Sequence, residues 1–171
     1  PPPILSEGAP VTPFTNISRE HYPFDFSVWN DRPSAVVFDY DRDGDLDFYV
    51  TELGGFPNRL YRNGGELVFV DVAEESGVAA LDSQSTGAVA CDFDNDGDQD
   101  LYVGAWGNPN DGFGFRSPAQ EQGNKDSLFL NRGDGSFEEI TDAAFGSEVN
   151  LRSALSIACA DVDGDGWLDI Y

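Results

Sequence analysis

Three stretches of the chain alternate aspartate with other residues in a single pattern. They are Asp39-Tyr40-Asp41-Arg42-Asp43-Gly44-Asp45-Leu46-Asp47, Asp92-Phe93-Asp94-Asn95-Asp96-Gly97-Asp98-Gln99-Asp100 and Asp161-Val162-Asp163-Gly164-Asp165-Gly166-Trp167-Leu168-Asp169. All three read Asp-x-Asp-x-Asp-Gly-x-x-Asp. Carboxylates at this density repel one another unless a hard cation sits among them, and Ca²⁺ takes about six to eight oxygens at roughly 2.3–2.6 Å from loops of this kind. The expected side-chain ligands are the first, third, fifth and ninth positions: Asp39, Asp41, Asp43 and Asp47, then Asp92, Asp94, Asp96 and Asp100, then Asp161, Asp163, Asp165 and Asp169. Glycine at the sixth position permits a sharp turn. The seventh position changes from Asp45 and Asp98 to Trp167, so a backbone carbonyl is the expected ligand there. The expectation is three Ca²⁺ sites.

The elements around the loops are expected to be strands. A helix–loop–helix calcium site needs a Glu at its twelfth position, where this chain has Val50 and Val103. Ala35-Val36-Val37-Phe38 enters the first loop and Leu46-Asp47-Phe48-Tyr49-Val50 leaves it, short runs rich in β-branched and aromatic residues. Each loop is therefore expected to cap a β-hairpin. A metal-free acidic turn uses the same residue types, since Asp and Gly are ordinary turn formers, but a threefold repeat at fixed Asp positions favours the ion site.

Composition narrows the partners. The chain has 171 residues, 40% of them hydrophobic, enough for a core. Its 32 acidic and 9 basic residues give a net charge of −23. Three Ca²⁺ would bring six positive charges and leave −17. Without a basic patch, nucleic acid and anionic membranes are poor partners. No apolar run reaches the length of a membrane helix and no signal peptide opens the chain. With no methionine and a Pro1-Pro2-Pro3 start, the chain reads as a mature form or as a piece of something longer. Millimolar extracellular calcium suits such loops, so a secreted, extracellular protein is expected. Asn16-Ile17-Ser18 is a sequon, which makes Asn16 a glycosylation acceptor in a eukaryotic secretory route.

The rest of the chain repeats with the loops. Residues 1–13 hold five prolines and read as an extended arm. Residues 14–33 form a leading strand and connection, because Phe14-Thr15-Asn16-Ile17-Ser18 matches Phe69-Val70-Asp71-Val72-Ala73 and Phe137-Glu138-Glu139-Ile140-Thr141. A second pair, Asn58 to Gly64 and Ser127 to Gly133, carries a Leu-Tyr or Leu-Phe strand and an Asn-x-Gly turn. Repeat 1 then spans 34–85, repeat 2 spans 86–152 with a long insert at 105–126, and 153–171 starts repeat 3. The loops begin at 39, 92 and 161, intervals of 53 and 69 residues, and the insert accounts for the difference. Trp106, Phe113 and Phe115 in that insert could pack it onto its own repeat or form a ligand shelf. Cys91 and Cys159 lie on opposite faces of successive sheets by strand alternation, which allows a disulfide between them or two buried small residues.

Strand, acidic loop, strand, Leu-Tyr strand, turn and Phe-Val strand make four strands per unit, the content of a propeller blade. With Asp-x-Asp-x-Asp-Gly-x-x-Asp-Leu/Phe-Tyr-Val, Asn-x-Leu-Tyr-Arg-Asn-Gly and Phe69-Val70-Asp71-Val72-Ala73-Glu74-Glu75-Ser76-Gly77-Val78 in view, the chain resembles the FG-GAP and VCBS repeats of integrin-α-like propellers. It is most similar to the cartilage-acidic-protein-like group of secreted calcium-binding propellers. The resemblance covers about residues 14–171 and implies four-stranded blades with Ca²⁺ between the first two strands. It also implies work in adhesion, matrix or carbohydrate contact.

The fold class expected is all-β: antiparallel four-stranded blades of a β-propeller, about two and a half to three of them in this chain, short of the four to eight that close a ring. Further blades or other copies of the chain are expected to meet its two end sheets, and the isolated chain is expected to be unstable. Glycans or matrix proteins are further expected partners. Three functions of different class follow. The first is an extracellular calcium-binding module for structure, adhesion or binding. The second is a subunit that assembles into a filament or matrix by strand complementation. The third is a calcium-dependent enzyme acting on polysaccharides, for which Glu52, Asp111 and Glu121 are candidate acids. No Ser-His-Asp, Walker or zinc signature accompanies them, and His21 beside Tyr22 and Pro23 reads as a surface or packing residue. A protein without catalytic residues is expected.

Overall fold

The computed structural model describes residues 34–53, 56–81, 83–106, 125–146, 154 and 156–171. The arm at 1–13, the leading strand at 14–18, His21, Asp111, Phe113, Phe115 and Glu121 lie outside the described residues.

The chain builds two four-stranded antiparallel sheets and a two-stranded one in sequence order. The first sheet is β1 (Ala35–Phe38), β2 (Asp47–Val50), β3 (Arg59–Asn63) and β4 (Phe69–Asp71), each paired with the next. The second repeats it with β5 (Ser85–Cys91), β6 (Asp100–Ala105), β7 (Ser127–Asn131) and β8 (Phe137–Glu139). β9 (Cys159–Ala160) and β10 (Asp169–Ile170) form the third. Every acidic loop joins the first strand of a sheet to the second, as expected. Ser85 opens β5, so the second unit begins one residue before the expected boundary at 86.

Strand alternation places one face of the first sheet against the second. Val36, Tyr49 and Leu60 are register partners across β1, β2 and β3, and all point the same way. With Phe38, they meet Leu101, Val103, Phe129 and Phe137 of the second sheet in a single core. Val72, Ala73, Val78 and Ala79, from the segment after β4, close it. Burying a side chain such as Leu60 or Phe129 contributes about 1.5–3 kcal/mol relative to leaving it exposed. Tyr49 of this core and the buried Asn58 are paired: Tyr49 donates its hydroxyl to the Val78 carbonyl at 2.8 Å, and Asn58 Nδ2 reaches both Tyr49 and Ser85 at 2.8 Å.

The fourth strand of the second sheet is shorter than the matched stretch through Thr141 suggested. It stops at Glu139, and α1 (Thr141–Phe145) follows. β4 likewise stops at its third residue, Asp71, and in both sheets one more amide bonds back to the third strand, Val72 to the Leu60 carbonyl at 2.7 Å and Ile140 to the Leu128 carbonyl at 2.9 Å; in the second sheet the Thr141 hydroxyl then accepts the Leu128 amide at 3.0 Å. The insert at 105–126 is anchored at its roots. Ala105 completes β6, the Trp106 amide donates to the Gln84 carbonyl at 2.8 Å, and buried Asp126 accepts the Ala105 amide at 2.8 Å and the Tyr102 hydroxyl at 2.7 Å.

The third sheet docks on the opposite face of the second. Cys91 and Cys159 are joined by a disulfide with Cα atoms 6.8 Å apart. Ile157 lies over Gly87 and Gly104, the Ala154 amide donates to the Ala105 carbonyl at 3.1 Å, and the Thr86 hydroxyl donates to the Ala154 carbonyl. A Cβ at residue 104 would come 2.5 Å from Ile157 Cδ1 and 2.6 Å from Ala154 Cβ. Gly104→Ala should therefore lower stability by about 1–3 kcal/mol, the cost of overpacking. Gly87→Ala, whose Cβ would meet Ile157 Cδ1 at an ordinary 3.8 Å, should cost less than about 1 kcal/mol. Urea unfolding midpoints of the two variants check the difference.

Candidate metal centres

The three acidic loops adopt one backbone conformation. The sixth-position glycines have φ of 93° at Gly44, 94° at Gly97 and 93° at Gly166, which only glycine adopts without strain. Four hydrogen bonds recur in each loop. The sixth amide donates to the first carboxylate, Gly44 to Asp39 at 3.1 Å, Gly97 to Asp92 at 3.0 Å and Gly166 to Asp161 at 3.0 Å. The fifth amide donates to the third side chain, Asp43 to Asp41 at 3.3 Å, Asp96 to Asp94 at 3.1 Å and Asp165 to Asp163 at 3.1 Å. The seventh amide donates to the fifth side chain, Asp45 to Asp43 at 2.9 Å, Asp98 to Asp96 at 2.8 Å and Trp167 to Asp165 at 2.9 Å. The second amide donates to the ninth carboxylate, Tyr40 to Asp47 at 3.0 Å, Phe93 to Asp100 at 2.8 Å and Val162 to Asp169 at 3.0 Å.

These bonds turn the remaining carboxylate oxygens toward one another. One ligand atom from each of Asp39, Asp41 and Asp43 lies within 4.8 Å of the others, and the same holds for Asp92, Asp94 and Asp96 and for Asp161, Asp163 and Asp169. Oxygens on opposite sides of one Ca²⁺ stand apart by about twice the roughly 2.4 Å bond length, so the spread fits a common ion. Asp39 Oδ1 and Asp92 Oδ1 are shielded from solvent and have no hydrogen-bond partner. A buried carboxylate oxygen left this way is costly. The all-oxygen donor set and these two oxygens fit a hard cation such as Ca²⁺.

The ninth aspartates do more than sequence reasoning assigned them. Asp47 and Asp100 are fully buried, and both oxygens of each accept a backbone amide. The second donor is Asn63 for Asp47 at 2.8 Å and Asn131 for Asp100 at 2.9 Å, each the last residue of the third strand. Burial pushes both carboxyls up to about 6, against the two amide bonds that lower them. Burial, followed by the charge of Asp43, also raises Asp41. Asp165, Asp47 and Asp100 fall outside the tight three-residue groups, whereas Asp169 falls inside.

The seventh residues use their side chains elsewhere. Asp45 and Trp167 are exposed, and Asp98 pairs with Arg42 at 2.6 Å. Two residues that sequence reasoning treated only as turn formers also act on the loops. Asn63 Nδ2 donates to the Leu46 carbonyl at 3.3 Å; Asn131 Nδ2 donates to the Gln99 carbonyl at 3.2 Å and to the Tyr40 carbonyl of the neighbouring blade at 2.8 Å. Their side-chain oxygens accept Gly65 and Gly133 amides at 3.1 and 3.0 Å, which closes the turn. The visible signal was Asn recurring two residues before Gly at the same place in both repeats.

Of the acids considered for catalysis, Glu52 is described, and its carboxylate lies 3.7 Å from Arg59 Nε. A groove of about 560 Å³, lined by Pro57, Arg59, Asp71, Glu74, Glu75 and Leu81 among others, does not include it.

Successive antiparallel four-stranded sheets, each with an acidic loop between its first two strands, define a repeat protein of the propeller-blade type. The sequence matches FG-GAP-like repeats over residues 39–103 and 115–171, well over half of its length, and the chain belongs to that family. It is also similar to cartilage acidic protein 1 of Xenopus tropicalis and of Homo sapiens, each 28% identical over 118 residues, and of Mus musculus, 27% identical over 118 residues. Each match covers 67% of this chain and 15% of the relative. Among the described residues no helix is long and apolar enough to cross a membrane.

Asp100→Asn replaces one of two amide acceptors with an NH₂ group that faces an N–H. It should lower stability in chelator by about 1–3 kcal/mol, the cost of an unsatisfied buried donor. Asp94→Asn, at an exposed position, should leave stability in chelator nearly unchanged. Urea unfolding in excess chelator distinguishes a carboxylate that anchors the fold from one that serves the ion.

Proposed function

We propose that the chain is a calcium-binding repeat module of an extracellular protein, with a structural, adhesive or binding role and no chemistry of its own. The observation that carries this reading is the thrice-repeated loop whose carboxylate oxygens converge, with Asp39 Oδ1 and Asp92 Oδ1 buried and unpartnered. Asp39, Asp41, Asp43 and Asp47 would hold the first ion, with the Asp45 carbonyl. Asp92, Asp94, Asp96 and Asp100 would hold the second, with the carbonyl of Asp98, and Asp161, Asp163, Asp165 and Asp169 the third, with that of Trp167. Each carboxylate of the ninth position keeps free lone pairs beside its amide bonds, so anchoring and ligation are compatible. The ion would neutralise charge that the loop otherwise concentrates.

The extracellular assignment is supported by the Cys91–Cys159 bond, which belongs to oxidising compartments, and by the likeness to proteins named for cartilage. Partners of the first blade are expected on the face that carries Val37, half exposed, with Phe48 and Phe69 in edge contact at 5.3 Å. Another blade of the same kind would suit that apolar face.

Calorimetric titration should register Ca²⁺ binding, lost at the second site in Asp94→Ala and kept in Asp45→Asn. Because the ion binds the folded loop, saturating it at a hundred times Kd should stabilise by about 2.7 kcal/mol per site, and a chelator should lower the melting temperature. Equal calcium loss in both variants, or a melting temperature indifferent to chelator, would overturn the proposal.

A further inference from the structure

The first acidic loop touches the second, and the second the third, through the fourth residue. That position is occupied by Arg42, Asn95 and Gly164, and all three are left-handed, with φ of 58°, 59° and 79°. Glycine adopts this conformation freely and asparagine tolerates it, but arginine does so at a steric cost. Such strain persists where surrounding contacts hold it. Arg42 Nε stands 2.6 Å from Asp98 Oδ1, the seventh residue of the second loop, an ion pair without hydrogen-bond alignment, and that buried oxygen has no other partner. Its guanidinium also covers the sixth: a Cβ on Gly97 would come 3.0 Å from Arg42 Nη2. Between the second and third loops the same reach recurs in shorter form, with Asn95 Nδ2 donating to the Gly166 carbonyl at 3.2 Å.

The pair differs from an ordinary surface ion pair, which contributes little. Asp98 is 8% exposed, the two residues belong to different blades, and each sits inside an ion loop. The Asp98 carbonyl is the expected ligand of the second site, and Arg42 stands between Asp41 and Asp43 of the first. Fixing either loop therefore fixes one end of the contact.

We propose that Arg42 and Asp98 form a clasp that couples the first two cation sites, so that filling one raises the affinity of the other. The clasp rests on the calcium reading of the loops. An ordered second loop holds the Asp98 carboxylate still, which keeps Arg42 left-handed and the flanking Asp41 and Asp43 in register for the first ion. Linkage makes the effect reciprocal.

The test is a Ca²⁺ titration of the full chain followed by the NMR amide signals of Gly44, Gly97 and Gly166, one per loop, since each amide donates to the first carboxylate of its own loop. Asp92→Ala, which removes a ligand of the second site, should weaken the Gly44 response about five-fold or more, within the usual range of coupling between sites. In an Arg42→Gly background, where the backbone is relieved and the clasp lost, the same substitution should leave the Gly44 response unchanged. Asp98→Asn keeps the carbonyl and leaves the first loop untouched, so it should uncouple the sites in the same way even if Arg42→Gly misfolds. A Gly44 response that falls equally with and without the clasp would overturn the proposal. A wild-type chain whose three glycines all ignore Ca²⁺ would fail the calcium reading itself, and the clasp with it.

Discussion

The structure depends on how the ninth aspartate of each loop is held. Asp47 and Asp100 are buried carboxylates flanked by other carboxylates, an arrangement that electrostatics opposes. They are tolerated because two backbone amides meet each one from different directions. One amide belongs to the start of the loop and the other to the last residue of the third strand. A single side chain thus ties the first, second and third strands of a blade together at the end where the loop emerges.

The same end of the blade is where neighbouring sheets are joined. The Tyr40 ring stacks on Phe137 of the next blade at 6.1 Å, and Asn131 holds the Tyr40 carbonyl from that blade as well. The first loop is therefore framed by two blades, and the apolar core below it is shared between them. Any ordering of the loop bears on the seam between blades. Calcium, where it binds, would act on packing as well as on charge, which is the physical sense of a structural ion.

Much of this was legible in the sequence, because repetition removes ambiguity. A lone Asp-rich turn says little, whereas three with glycine at the same position specify one backbone conformation, and the short runs rich in β-branched and aromatic residues at Ala35–Phe38 and Asp47–Val50 mark strands. The parts that were not legible are those where a side chain replaces backbone or crosses between units. The Thr141 hydroxyl takes over a carbonyl's task by accepting the Leu128 amide, and nothing in Phe137 to Thr141 distinguishes that threonine from a strand residue. Asn63 and Asn131 were visible as turn formers, but their grip on the loops depends on a register that only pairing of the second and third strands creates. The left-handed Arg42 was least accessible, since its reason is a partner 56 residues away in the next blade.

The third loop separates what is local from what is tertiary. Among the described residues its sheet has two strands, and its aspartates are more exposed than those of the other two loops. All four recurring hydrogen bonds are nonetheless present in it, from Gly166 to Asp161, Asp165 to Asp163, Trp167 to Asp165 and Val162 to Asp169. The loop conformation is therefore a property of nine residues and their glycine. The paired third strand adds the second amide to the ninth carboxylate, and with it the burial of Asp47 and Asp100. That division explains why Trp can stand at the seventh position of the third loop. The local bonds there use only the backbone amide, whereas in the second loop the Asp98 side chain has a neighbour to bind.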